Sequence, residues 1–413
     1  MVRIRAPRDF CAGLLFIATG ALGAALALAI LSAGPAAAQG SFQDCLRGLE
    51  QQARSRGVLP QVFAEATAGL SPDNSILALL DRQPEFSRQP WDYINGLVAA
   101  NRIAEGRRML QVHRAAFDRA QQETGVDKHI IAAIWGIETS FGKAKGNTSV
   151  VRATATLACY GRRQDFFRGE FVAALQILNQ GHVAPAAFRG SWAGAFGHTQ
   201  FMPSTFLRAA RSANGSQRID LVGSVPDALM STGNLLRAEG WQAGQGWGYE
   251  VTVPAGLDLS LAGRDRPQTV AQWEARGVRR VGGQAFPRRG DQAFLHLPGG
   301  AAGPAFLMLP NFRVIMKYNN SENYAMAVGH LADRLRGGGG FVRPWPTAER
   351  PLTQQERIEL QQRLAQVGLY TGTVDGKLGA GTREALQRFQ QRAGMPADGF
   401  PTAALLQRLR RGG

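Results

Sequence analysis

The stretch that most restricts how this chain can fold runs from Asp127 to Gly142, where Ala132-Ala133-Ile134-Trp135-Gly136-Ile137 is apolar without a break. Asp127 supplies an N-cap and Gly142 a C′ residue, so one helix is expected between them. Ile130, Ile134, Ile137 and Phe141 recur at helical spacing and define a stripe that the rest of the chain must cover. Glu138 falls beside Ile131 on the flank of that stripe. It also sits in the last turn, where the helix dipole disfavours negative charge. Burial and dipole both push a carboxyl pKa upward, which suits a general acid working near neutral pH. The same position also fits a Glu at a helix edge reaching into solvent.

A chain of 413 residues has room for two or three domains. With 45% hydrophobic and 19% charged residues, its composition is globular. The formal charge of +16, carried almost entirely by Arg, calls for an anionic partner. No zinc-finger spacing and no aromatic-basic sheet signature argues for nucleic acid. The front of the chain reads as an export signal over residues 1–38. Arg3, Arg5 and Arg8 precede an apolar run from Cys11 to about Ala33, and Ala36-Ala37-Ala38 gives an A-x-A cleavage site. An uncleaved inner-membrane anchor is the alternative, because the apolar run is long enough to span a bilayer. Either way the chain is expected in the periplasm. There Cys45 and Cys159 form an even pair, expected as a disulfide rather than a metal site.

Residues 41–125 read as helical scaffold. After the Glu138 helix, Leu157 to Phe167 is again helical and carries Arg162 and Arg163. These are either a solvated turn or a guanidinium pair for a carboxylate. Gly190-Ser191-Trp192-Ala193-Gly194-Ala195-Phe196-Gly197-His198-Thr199-Gln200-Phe201-Met202-Pro203-Ser204 combines glycines that permit close backbone approach to a ligand with aromatic and hydrogen-bonding groups. Arg211 to Asp220 has the outline of a calcium loop without its acids, so no metal is expected there, and nothing in the chain calls for a cofactor. From Tyr249 to Leu309, alternating segments between Gly/Pro turns predict a small β-rich insertion. Phe312 to Ala325 places Tyr318, Asn319 and Tyr324 where they could line a cleft. Gly337–Gly340 followed by Pro344, Pro346 and Pro351 reads as a linker over residues 337–352, flexible at first and stiffened at its far end. Beyond it, residues 353–413 predict three small helices. The first is opened by the capping box Thr353-Gln354-Gln355-Glu356, and the module carries an Arg-rich face that includes Arg383.

Three of these stretches together resemble the lytic murein transglycosylase B family: Glu138-Thr-Ser-Phe-Gly, the Gly190–Ser204 run, and Lys317-Tyr-Asn…Ser321…Tyr324-Ala. The C-terminal segment is similar to the peptidoglycan-binding domain of bacterial wall enzymes. The resemblance implies a mainly α architecture: a lysozyme-like catalytic domain over 39–336 with the β-rich insertion, and a three-helix domain after the linker. It implies cleavage of the β-1,4 bond from N-acetylmuramic acid to N-acetylglucosamine in peptidoglycan, ending in a 1,6-anhydro sugar. On this likeness Glu138 is the acid/base, and Ser191, Gln200, Phe201, Tyr318, Asn319 and Tyr324 are cleft residues, joined by Arg162 and Arg163. One departure is Leu235, where family members often carry Tyr. Ordinary glycosidases use two carboxylates. No second acid is tied to the Glu138 motif, although Asp165, Glu170 and Asp227 are candidates. The rival functions are a hydrolytic muramidase on the same fold and a non-catalytic wall-binding protein.

Overall fold

The computed structural model describes residues 35–80 and 88–412. The expected export signal lies outside the described residues, apart from Pro35–Ala38, which open the first helix, Pro35–Ser55. No helix among the described residues is long and apolar enough to cross a membrane.

The Glu138 helix spans Lys128–Thr139, and the Asp127 carboxylate caps it by accepting the His129 N–H at 2.8 Å. It ends sooner than Gly142. Ser140, Phe141 and Gly142 all take positive φ, at 49°, 61° and 83°. Two consecutive non-glycine residues in that region cost roughly 1–2 kcal/mol each. Burial of Phe141 offsets that cost: its ring folds back over Gly136 and meets Trp135 edge-on at 5.5 Å. A Cβ on Gly136 would lie 2.6 Å from the ring, so only glycine leaves room for this turn.

Two apolar cores flank the site. In one, Ile130, Ile134 and Trp135 pack with Phe117 and with Met326 and Leu331 of the Tyr324 helix, Glu322–Arg336. In the other, Phe42 and Leu46 of the first helix meet Leu157, Phe171, Phe196 and Phe206. The Cys45–Cys159 disulfide joins the first helix to the helix Val150–Tyr160. Tyr318 touches both cores and so marks their junction.

The insertion is an antiparallel five-stranded sheet. Its strands are β3 (Gly248–Thr252), β4 (Gln268–Thr269), β5 (Arg279–Arg280), β6 (Gln292–His296) and β7 (Ala305–Met308), in the order β4-β6-β7-β3-β5. Two shorter strands earlier in the chain, β1 (Thr148–Ser149) and β2 (Arg189–Gly190), form a separate pair. Alternation along β6 and β7 sends Leu295 and Leu307 into a core with Trp273. It sends Phe294, Phe306 and Met308 into the core that holds Ile130 and Trp135. Both faces are thus buried, which explains runs that are more continuously apolar than a half-exposed sheet requires.

Residues 337–352 are not the free tether that Gly and Pro content leads one to expect. Phe341 stacks on His330 at 3.9 Å, and its ring meets Phe306 at 4.8 Å. The Glu250 carboxylate accepts the N–H groups of Val342 and Arg343. Trp345 reaches Trp91 at 6.1 Å, and Trp91 reaches Phe400 of the last domain at 6.3 Å. Aromatic burial here outweighs the entropy that glycines would keep in a loose chain.

The last domain has three helices, Gln354–Gln366, Ala380–Arg392 and Ala403–Arg410, around Leu360, Leu364, Leu386, Phe389, Leu405 and Leu409. The Thr353/Glu356 capping box is present. This domain is docked: Gln387 donates to the Ala262 carbonyl at 3.0 Å, and Asp398 accepts from the Ala301 N–H at 2.9 Å. Arg383, expected on an outward Arg-rich face, instead turns inward to Glu322 at 2.8 Å.

Candidate active site

Glu138 is the penultimate residue of its helix and is half-buried. The Tyr324 hydroxyl, from the third residue of the facing helix, donates to Glu138 Oε1 at 2.6 Å. Ser321 caps that helix by accepting the Tyr324 N–H, which fixes the turn carrying the phenol. Tyr318 lies parallel to Tyr324, with ring centroids 6.5 Å apart, and donates to the Thr199 carbonyl. Burial, with the Glu138 charge next, holds both phenols well above their usual pKa, so they stay neutral donors. The cluster is one carboxylate beside two fixed hydroxyls, at the seam of the two cores.

The Gly190–Ser204 run forms the adjoining wall, and it is built differently from expectation. Its glycines bring the chain close to itself. A Cβ on Gly190 would lie 2.1 Å from the Ala195 carbonyl oxygen, and one on Gly146 would lie 2.1 Å from the Gly190 oxygen. Ser191 Oγ accepts the Ala195 N–H at 3.1 Å. Gln200, at φ 54°, donates its amide to the carbonyls of Lys145 and Gly197, each at 3.0 Å. Its N–H groups therefore hold the loop rather than await a sugar. Phe201 is only 1% exposed and sits edge-on behind Tyr318 at 6.0 Å. It backs the site and does not offer a stacking face, which corrects its expected place as a cleft residue; an aromatic in a Gly-rich run reads the same whether it faces in or out.

Asn319 lies in the turn ahead of the Tyr324 helix, and its carbonyl accepts the Ser321 N–H at 2.7 Å. Arg162 and Arg163 are exposed between the helices Val150–Tyr160 and Gln164–Asn179. The Arg163 guanidinium covers the Phe166 ring at 4.3 Å, not the Glu138–Tyr324 cluster. The three other acids are engaged elsewhere. Asp165 is at the exposed start of a helix, paired with Arg168. Glu170 is buried and accepts both the N–H and the hydroxyl of Ser204. Asp227 accepts the N–H groups of Ala213 and Asp220, closing the loop 211–220 from within.

Sequence reading gave Thr139 no role at the site and took His198 only as not a metal ligand. Thr139 Oγ1 donates to the His198 carbonyl at 2.5 Å and accepts the Gly142 N–H, tying the Glu138 helix end to the loop. His198 Nδ1 accepts from Trp135 Nε1 at 3.2 Å. Burial first, then the Lys145 charge, pulls the His198 pKa down to about 4. Since the folded state holds it neutral, the unfolded chain takes the proton first. Its contribution to stability is whole above about pH 6.5 and declines as pH falls towards about 4. NMR titration of His198 should give a midpoint near 4; one at or above 6.5 would mean that the ring does not accept from Trp135.

Residues 41–333 match the family described as the transglycosylase SLT domain, and residues 353–409 match the putative peptidoglycan binding domain. Membrane-bound lytic murein transglycosylase B of Escherichia coli is 31% identical over 299 residues, covering 70% of this chain and 81% of that protein. SltB3 from Pseudomonas aeruginosa, in its complex with NAG-NAM-pentapeptide, is 45% identical with a TM-score of 0.86, covering 89% of this chain and 99% of that one. The Escherichia coli lytic transglycosylase Slt35, in complex with bulgecin A, is 30% identical with a TM-score of 0.62, covering 73% and 95%.

Proposed function

Because the chain belongs to the transglycosylase SLT family and is a lytic murein transglycosylase, we propose that Glu138 is its single acid/base. The observation that carries this reading is the 2.6 Å hydrogen bond from Tyr324 to Glu138 Oε1. It fixes the orientation of the carboxyl group. In its protonated form Glu138 gives its proton to the oxygen leaving C1 of N-acetylmuramic acid, and the C1–O bond breaks. The substrate's acetamido group stabilises the positive C1 meanwhile. The C6 hydroxyl then bonds to C1 and returns its proton to Glu138, so no water is consumed. Tyr324 supports the carboxylate in the interval when it is charged. The engagement of Asp165, Glu170 and Asp227 elsewhere favours one carboxylate over a pair.

Ser191, Asn319 and Tyr318 line the wall that receives the glycan, with Gln200 and Phe201 holding that wall in place. Residues 39–336 are the catalytic domain and 353–413 the wall-binding domain. The enzyme works in the periplasm on glycan strands after removal of residues 1–38, and its Arg-rich surface favours an anionic polymer. Mass spectrometry of muropeptides from digested sacculi tests the reaction. Products ending in 1,6-anhydro sugar are expected. Reducing ends in their place would make the enzyme a hydrolytic muramidase.

A further inference from the structure

We propose that Arg383, in the wall-binding domain, is a positioning residue for cleavage: it holds Glu322, and through the first turn of its helix it sets where Tyr324 meets Glu138. This rests on the acid/base reading of Glu138. Glu322, Ser321 and Tyr324 occupy a single turn, with Ser321 as N-cap and Glu322 as its first helical residue. The Arg383 guanidinium lies 2.8 Å from Glu322 Oε2, and the side chains are only 26% and 14% exposed. The same guanidinium comes within 3.5 Å of His296 Nδ1, on a ring that is itself 2% exposed and packed against Phe312. Burial alone would raise the Glu322 pKa, but the charge of Arg383, helped by His296 and Arg264, brings it to about 2. Glu322 is thus an anion whose direct ion pair comes from the other domain.

Removing Arg383 takes away the direct ion-pair partner of a carboxylate that is only 14% exposed. The carboxylate gains water by drawing its turn outward, and the Tyr324 hydroxyl moves with the turn. Reacting groups tolerate little of this: an error of about 1 Å can cost roughly a hundredfold in rate. The contacts of Gln387 with Ala262 and of Asp398 with Ala301 keep the domain docked when Arg383 is changed. The wall-binding domain is on this account part of the frame of the cleft as well as a holder of the wall.

The test uses the full chain and a short soluble glycan cut from the wall. Arg383→Met should lower kcat by about tenfold with KM within about twofold, a partial loss on the scale that misplacement produces. Retention on whole sacculi should be unchanged, and Arg383→Lys should recover most of the rate. In a Tyr324→Phe background, Arg383→Met should cost nothing further, because the hydroxyl it positions is gone. A folded Arg383→Met enzyme with wild-type kcat, a loss confined to KM, or a loss undiminished in the Tyr324→Phe background would each overturn the proposal. Failure of the acid/base reading is seen separately, as an active Glu138→Gln enzyme, and leaves the dependence of Arg383 on Tyr324 to be judged alone.

Discussion

Glu138→Gln is expected to abolish glycan cleavage while leaving the fold and wall binding intact. The amide oxygen can still accept from Tyr324, so the 2.6 Å hydrogen bond that anchors the side chain has a substitute. What is lost is the exchangeable proton. One acid/base group contributes roughly 10²–10⁴ in rate, and more where the same group serves both proton transfers. The variant should melt within a few degrees of the wild type and stay on sacculi. Release of anhydro products within about tenfold of the wild-type rate would remove Glu138 from the reaction, since no single-acid mechanism survives loss of its proton so lightly.

Gly190→Ala should be among the most damaging single-methyl changes near the site. Three backbone segments stack there: Gly146 against the Gly190 carbonyl, and Gly190 against the Ala195 carbonyl, each leaving 2.1 Å for a Cβ. The atoms that a Cβ on Gly190 would meet are all backbone, of Ala195 and Phe196, so no side chain can swing aside. The strand pair β1 and β2, in register at Thr148↔Gly190, would have to part from the loop that carries Ser191. Overpacking of this kind costs about 1–3 kcal/mol, and more when backbone must move. Activity should fall further than stability does, by on the order of a hundredfold, because the wall beside Glu138 shifts as a unit. Gly48→Ala is the control. It lies in the first helix with nothing within 4 Å of the new methyl, and should be neutral or slightly stabilising. Equal melting temperatures and kcat/KM for Gly190→Ala and the wild type would contradict the stacked loop.

Sequence alone determined the features that depend on local spacing and residue chemistry. The apolar run after Asp127 required a covered helix with Glu138 on its flank. Alternation between Tyr249 and Leu309 required strands, and Thr353 with Glu356 required a helix start. Each follows from periodicity or a capping side chain within a few residues. Tertiary structure decided what depends on distant partners. Phe141 ends the Glu138 helix early because Gly136 leaves its ring a place. Phe201 turned out to be core because Tyr318, over a hundred residues away in sequence, covers it. The stretch 337–352 lies fixed because His330, Phe306, Trp91 and Glu250 receive its aromatic and N–H groups. Composition describes how freely a segment can move when nothing holds it. Whether something holds it is a property of surfaces that only folding brings together, and the same is true of Tyr324, whose hydroxyl finds Glu138 across 186 positions of chain.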